Sequence, residues 1–150
     1  MRSVMISIRP KWCKFIKSGE KRIDVRKTAP KTVPFKAYIY CTGDKKEKFI
    51  CRGGADMPFD VGNKMVVGEF ICDKIIPVSC YASDTNNRIL LREQPYTCLT
   101  DKQMIDYLGN GVEGKGWHIS DLKIYDKPKE LTEFGLKRPP QSWCYVEDNE

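Results

Sequence analysis

The sequence contains no long apolar run. Its apolar runs, Met65-Val66-Val67 among them, fall far short of the roughly 20 residues needed to cross a bilayer, so no membrane-spanning helix is expected. No apolar stretch with a small-residue cleavage site follows Met1-Arg2-Ser3-Val4, so a secretion signal is not expected either, and the chain reads as cytoplasmic. Seven cysteines are present, but none form a CxxC pair and the count is odd. Structural zinc needs closely spaced pairs that converge on a tetrahedral site, and disulfide scaffolds go with secretion. Cys41, Cys51, Cys72 and Cys80 fall in or beside strand-like runs, where a reduced thiol packs as a small apolar residue. No metal and no cofactor is expected. Internal repeats, low-complexity runs and linkers are also lacking, so residues 1–150 read as one domain.

What is present is enough apolar material for a core: 41% of residues are hydrophobic and 11% aromatic. The 26 basic side chains outnumber the 20 acidic ones, for a formal charge of +6. Basic residues concentrate near the start, at Arg9, Lys11, Lys14, Lys17, Lys21, Arg22, Arg26, Lys27, Lys31 and Lys36. Phosphate backbones favour such a patch because each neutralised phosphate releases counterions. A solvated basic face accounts for it equally well.

Residues Val4 to Ile8 read as a strand. Pro10 suits the first turn of a helix over Lys11 to Ser18, resting on Trp12, Phe15 and Ile16 and closed by a left-handed Gly19. Ile23 to Arg26, Ala37 to Cys41, Lys48 to Cys51, Lys64 to Ile76, Trp117 to Tyr125 and Trp143 to Val146 are further strand candidates. Thr28 to Pro34 reads as a loop, Gly53-Gly54, Pro58 and Gly62 as chain breaks, and Ala82 to Cys98 as an insert. Thr100 with Gln103 forms a capping-box pattern ahead of a helix on Met104, Ile105 and Leu108 that ends at Gly109. Leu131 and Phe134 suggest one more helical turn. This is not the alternating βαβα order of a doubly wound sheet. An α+β domain with a curled or barrel-like mixed sheet and short peripheral helices fits better.

The most informative segment is Gly19-Glu20-Lys21-Arg22-Ile23-Asp24-Val25-Arg26. In a strand, Asp24 and Arg26 share one face, Ile23 and Val25 the other. The apolar pair then faces the core and the charged pair a cleft or water. Lys21 falls on the wrong face of a strict strand and joins Asp24 only if the turn after Gly19 rotates it. An Asp between two cations is ionised and orients a lysine, or acts as a base if burial raises its pKa. Arg26 suits a phosphate or carboxylate. An ordinary strand with a surface ion pair is the plain alternative.

The same segment resembles the Gly-x-Lys-x-x-Glu-x-Arg signature of ASCH domains in the PUA-like superfamily, with Asp24 in place of the usual Glu. Lys64 to Phe70 resembles the family's barrel strand, and Trp117 to Tyr125 with Pro139 to Val146 resembles the closing segments of small phage- and bacteria-associated ASCH proteins. The resemblance implies a PUA-like mixed β-barrel with two or three short peripheral helices, a cleft floored by Lys21, Asp24 and Arg26, and RNA-related work. Some members of the superfamily bind RNA. A compact bacterial branch hydrolyses N4-acetylcytidine with a lysine, a threonine and a glutamate, and a ribonuclease activity has been attributed to other ASCH proteins. Carried over by motif, the lysine lands on Lys21 and the threonine on Asp24, with Glu113 and Glu69 as candidates for the glutamate. A carboxylate cannot replace an alcohol nucleophile without changing the mechanism, but it can activate water.

Three functions follow as expectations. The first is an RNA- or nucleotide-binding module in which Arg9, Lys11, Arg26 and Lys27 hold phosphate and an aromatic stacks the base. The second is a small hydrolase, an amidohydrolase or ribonuclease, with Lys21 and Asp24 as its catalytic pair. The third is a protein-interaction domain with a vestigial cleft. Trp117 is a candidate stacking residue, whereas Trp12 reads as core. His118, the single histidine, is a candidate proton shuttle or a hydrogen-bonded structural residue. Ser142, in the turn Pro139-Pro140-Gln141-Ser142, is placed to reach a ligand. The run Gly109 to Gly116 lacks the GxxxxGK[ST] order of a phosphate loop and reads as a flexible lip.

Overall fold

The computed structural model describes residues 2–54, 57–81, 88–89 and 94–147. In chain order the elements are β1 (Ser3–Ile8), α1 (Pro10–Ser18), β2 (Ile23–Arg26), β3 (Phe35–Cys41), β4 (Ile50–Gly54), β5 (Met57–Val61), β6 (Met65–Val78), β7 (Cys80–Tyr81) and β8 (Arg88–Ile89). A 3-10 turn (Gln94–Thr97), α2 (Asp101–Leu108), β9 (Gly114–Lys129), a second 3-10 turn (Leu131–Phe134) and β10 (Trp143–Val146) complete it. No helix among the described residues is long and apolar enough to cross a membrane.

Local chemistry sets the helix ends. Pro10 opens α1 and Gly19 closes it at φ 86, its N–H donating to the Ile16 carbonyl. Glycine takes this left-handed conformation without a Cβ penalty. In α2 the Thr100 side chain accepts from the Gln103 N–H and the Gln103 side chain returns to the Thr100 N–H, a complete capping box. α1 buries Pro10, Cys13 and Ile16, while Trp12 and Phe15 remain half-exposed. The apolar stripe expected through Trp12 is therefore rotated, and that residue is left available.

Six strands form one sheet in the order β10-β1-β3-β6-β9-β2. β1 and β3 run parallel, and every other neighbouring pair runs antiparallel. A parallel pair needs a crossover, supplied here by α1 and β2. The predicted break at Gly53-Gly54 and Pro58 is instead a hairpin, β4 with β5. Most of the insert expected over Ala82 to Cys98 lies outside the described residues.

The long strands β6 and β9 lose register three times along their ladder, and such bulges bend a strand and increase its twist. One bulge carries Asp121 at φ 48, a conformation that aspartate tolerates better than most residues. The sheet curls around a main cluster built on Ile6, Ile8, Phe35, Ile39, Phe70 and Trp117. A second cluster, around Met5, Tyr38, Tyr125 and Phe134, covers the opposite face. The third packs Ile23 and Val25 of β2 against Met104 of α2. None of the seven cysteines forms a disulfide. Burial pushes the Cys72 thiol up to about 12 and that of Cys51 up to about 11, as suits packing groups.

The α+β class holds, but the barrel is not closed by backbone. β10 and β2 end the strand order, and among the described residues no ladder joins them. Both are four residues long, and the loop after β2 contains prolines that cannot donate to a continuing ladder. Side chains cross the gap instead. Arg26 of β2 donates through Nη2 to the Ser7 carbonyl of β1 (2.7 Å) and through Nη1 to Ser142 Oγ beside β10 (3.3 Å). The indole N–H groups of Trp117 and Trp143 donate to the carbonyl and hydroxyl oxygens of Thr28 at 3.2 and 3.0 Å.

The end of the expected glycine-rich lip, Gly114 to Gly116, is strand, while the residues before it form a turn. Gly116 pairs with Val25 on one side and Ile76 on the other. A Cβ there would meet Ile23 Cγ2 and the Ile76 carbonyl oxygen, each at 2.9 Å. Glycine is what lets three backbones lie together behind the site. Gly116→Ala is expected to cost about 1–3 kcal/mol, the usual scale of overpacking, as a lower urea midpoint; an unchanged midpoint would show that this contact relaxes freely.

Candidate functional site

The residues Lys21, Asp24 and Arg26 meet at the open end of the curled sheet. Asp24 and Arg26 share a face of β2, as strand alternation requires, and Arg26 Nε donates to Asp24 Oδ2 at 2.6 Å. Lys21 precedes β2. Its N–H donates to the Phe15 carbonyl (2.9 Å), which turns the chain after Gly19 and swings the side chain onto the Asp24 face. There Nζ donates to the Thr97 carbonyl at 2.6 Å, sits 4.0 Å from Asp24 Oδ1, and lies 5.2 Å from the centre of the Trp12 ring. Lys21 and Asp24 are only 3% and 4% exposed. Burial pulls the Lys21 amine below its ordinary value, and the opposing attraction of Asp24 offsets this only in part.

Above this floor opens a cavity of about 800 Å³, within the size range of small-molecule sites. Trp12 of α1 forms one wall, and Leu99, Gln103 and Tyr107 form another. Thr28, Thr42, Gln141 and Ser142 add hydroxyls and an amide, and Arg9 and Lys27 reach the lining from exposed positions. Lys27 Nζ lies 5.2 Å from the centre of the Tyr107 ring, and burial raises the Tyr107 phenol. Among the described residues, the lining holds four cationic side chains and a single carboxylate, Asp24.

Six of the expected site residues thus meet here: Arg9, Lys21, Asp24, Arg26, Lys27 and Ser142. Lys11 stands outside the lining, exposed, with Nζ 4.9 Å from the centre of the Trp12 ring. Trp117 does not serve as a stacking platform. It is 0% exposed, packed edge-on against Phe35 and Trp143 with ring centres 5.1 and 5.8 Å apart, so neither face is left for a base. His118, pairing with Ile23, is absent from the lining, with Nδ1 2.6 Å from Asp73 Oδ1. Burial is the largest single influence on Asp73 and works against its ionisation, but the hydrogen bonds to His118 and to its own backbone, with the nearby Lys74, together hold the carboxyl below its ordinary range.

Neither candidate glutamate reaches Lys21. Glu69 accepts from the Tyr125 hydroxyl at 2.7 Å and lies 3.5 Å from Lys36 Nζ. Glu113 is exposed, 3.7 Å from Lys115 Nζ. The site residues missed by sequence reasoning are Trp12, Gln103 and Tyr107. One signal was readable for the last two: they stand four apart, on one face of α2.

The fold and the site together define a class: an α+β domain whose curled mixed sheet is pinned at its open end by an arginine, over a cationic cavity floored by a buried lysine–aspartate pair. Among solved structures, the crystal structure of ASCH from Zymomonas mobilis matches with a TM-score of 0.68 at 19% identity, covering 97% of this chain and 88% of that one. A tyrosine-to-phenylalanine variant of the Zymomonas protein matches at 0.67 and 18% identity, covering 99% and 93%. A serine-to-alanine variant matches at 0.65 and 18%, covering 99% and 90%. Compared by sequence, no family model and no curated protein matches the chain. The fold is that of an ASCH domain.

Proposed function

We propose that the cavity binds a nucleotide-like ligand or a nucleotide of RNA. The observation that carries this reading is the lining itself: four cations against one carboxylate, with the aromatic side chains of Trp12 and Tyr107 in the same cavity. Cations answer phosphate, and an aromatic face answers any base. Gln103 and Gln141 add amide donors and acceptors of the kind that read base edges.

A hydrolase acting on a modified nucleoside or on RNA is the second reading, favoured by the buried Lys21 amine beside Asp24. Asp24 Oδ2 is held by Arg26, which leaves Oδ1 turned toward Lys21. In that reading Asp24 takes a proton from water and Lys21 stabilises the developing negative charge. Among the described residues neither Glu69 nor Glu113 joins them, so the lysine–threonine–glutamate set of the amidohydrolase branch finds no support in them.

The test is a titration with short single-stranded RNAs, cytidine and N4-acetylcytidine, following binding and product mass in the same tubes, with Lys21→Met alongside. Binding that weakens in the variant supports the site, and product makes the protein an enzyme. Absence of binding by every probe overturns the proposal and moves a protein-interaction role forward.

A further inference from the structure

The cations of this cavity are not equivalent, and their differences say which end of a ligand goes where. Arg26 spends its guanidinium on the protein: Nε on Asp24, Nη2 on the Ser7 carbonyl and Nη1 on Ser142 Oγ. Its fork is the bond between the two ends of the sheet, and little of it remains for a phosphate. Lys21 is committed to the Thr97 carbonyl and faces Asp24. The floor is therefore a buried network whose two cations are committed to Asp24 and to protein oxygens, and it closes the cavity below. Arg9 and Lys27, by contrast, are exposed.

The basic track outside the cavity is similarly reduced. Lys14 is bound to Glu47 at 2.6 Å, Lys17 donates to the carbonyls of Ile50 and Cys51, and Arg22 Nε donates to the Gly19 carbonyl. These are side chains that the sequence offers to a polyanion and the fold employs elsewhere. A polymer needs cations along its backbone, and of the four that line the cavity only Arg9 and Lys27 are exposed, with Lys11 beside Trp12 outside the lining.

Resting on the nucleotide-binding reading above, we propose that the site takes one nucleotide unit ring-first, with the phosphate at the rim met by Arg9 and Lys27, and that Arg26 holds the floor instead of the ligand. The ring then lies against Trp12, and its polar edge meets the floor network. A single nucleotide, free or at an unpaired position, fills such a site, and a longer strand gains little from its extra phosphates.

The experiment compares one base in three forms: the nucleoside, its 5′-monophosphate and a single-stranded octanucleotide, titrated calorimetrically at several salt concentrations. The expected result is an octanucleotide affinity, per nucleotide site, within about threefold of the monophosphate, with a shallow salt dependence. A strand laid across four or more cations would instead give a log–log salt slope of about −3 or steeper, at roughly −0.7 per phosphate neutralised. The monophosphate is expected to bind about tenfold more tightly than the nucleoside, and Arg9→Ala with Lys27→Ala to remove most of that gain. Both residues are exposed, so the fold tolerates their loss, and a circular dichroism spectrum verifies it. An octanucleotide more than thirtyfold tighter per site, or a steep slope, overturns this inference while leaving nucleotide binding intact. If none of the three forms binds, the inference falls together with the reading beneath it.

Discussion

Asp24→Ala is expected to destabilise the protein by about 3–5 kcal/mol, the cost of breaking a buried ion pair from one side. The carboxylate is 4% exposed and faces two cations, Arg26 Nε at 2.6 Å and Lys21 Nζ at 4.0 Å. Removing it leaves the 3%-exposed lysine and the part-buried guanidinium facing each other with no anion between them. Against a typical total of about 5–15 kcal/mol, that is a large fraction. Urea unfolding measures it directly. A double-mutant cycle with Arg26→Met then separates the pair from the loss of volume, with a coupling in the upper part of the 0.5–3 kcal/mol range seen for interacting neighbours. A loss below about 1 kcal/mol in Asp24→Ala, the scale of a surface ion pair, would show that the floor is solvated and the network adds little.

Lys21→Met is expected to act in the opposite proportion, with a small effect on folding and a large one on function. The variant keeps an apolar stem of similar length against Trp12, and Asp24 keeps its 2.6 Å bond to Arg26, so the remaining charges stay balanced. Ligand affinity should fall about 10–100-fold, the loss of one charge-assisted hydrogen bond, and any turnover should fall about 10²–10⁴-fold. Unchanged binding and turnover would remove Lys21 from the site.

The same variant reports on the buried amine. Burial lowers the folded-state pKa of Lys21, with Asp24 pulling only partly the other way, so between that lowered value and the ordinary lysine value near 10.4 the unfolded chain binds more protons than the folded one. Stability attributable to Lys21 therefore rises with pH across this window. The penalty for charging the buried amine is fully present below the folded pKa and is relieved as pH climbs toward the unfolded one. The difference in unfolding free energy, parent minus Lys21→Met, should increase from neutral pH toward pH 10. A flat or falling difference would mean that the folded protein holds the ammonium without cost.

Much of the fold was legible because its causes are local. Pro10 and Gly19 bound a helix wherever they stand nine residues apart around an apolar face, and Thr100 with Gln103 caps one without outside help. Alternation put Asp24 and Arg26 on one face of β2 and Ile23 and Val25 on the other, where they pack with Met104 beneath α2. The errors came where a side chain's value depends on what lies opposite. Trp12 and Trp117 both read as aromatic residues in regular elements. One proved to be a cavity wall and the other core, because α1 buries Cys13 and Ile16 instead and Trp117 faces Phe35 across the curled sheet. Gly116 looked like part of a loop because glycine is depleted in strands, yet the close approach of β2 and β6 to β9 requires it.

The sequence by itself determined most of the elements, the helix ends, the packing role of Cys41, Cys51, Cys72 and Cys80, and the grouping of Asp24 with Arg26, all consequences of backbone periodicity and contacts a few residues apart. The tertiary structure decided that the Lys21 amine is anchored on a carbonyl 76 residues along the chain, and that Arg26 is spent on Ser7 and on Ser142, the latter 116 residues away. Only the order and curl of the strands bring such partners within hydrogen-bonding distance, and a local pattern carries no record of that.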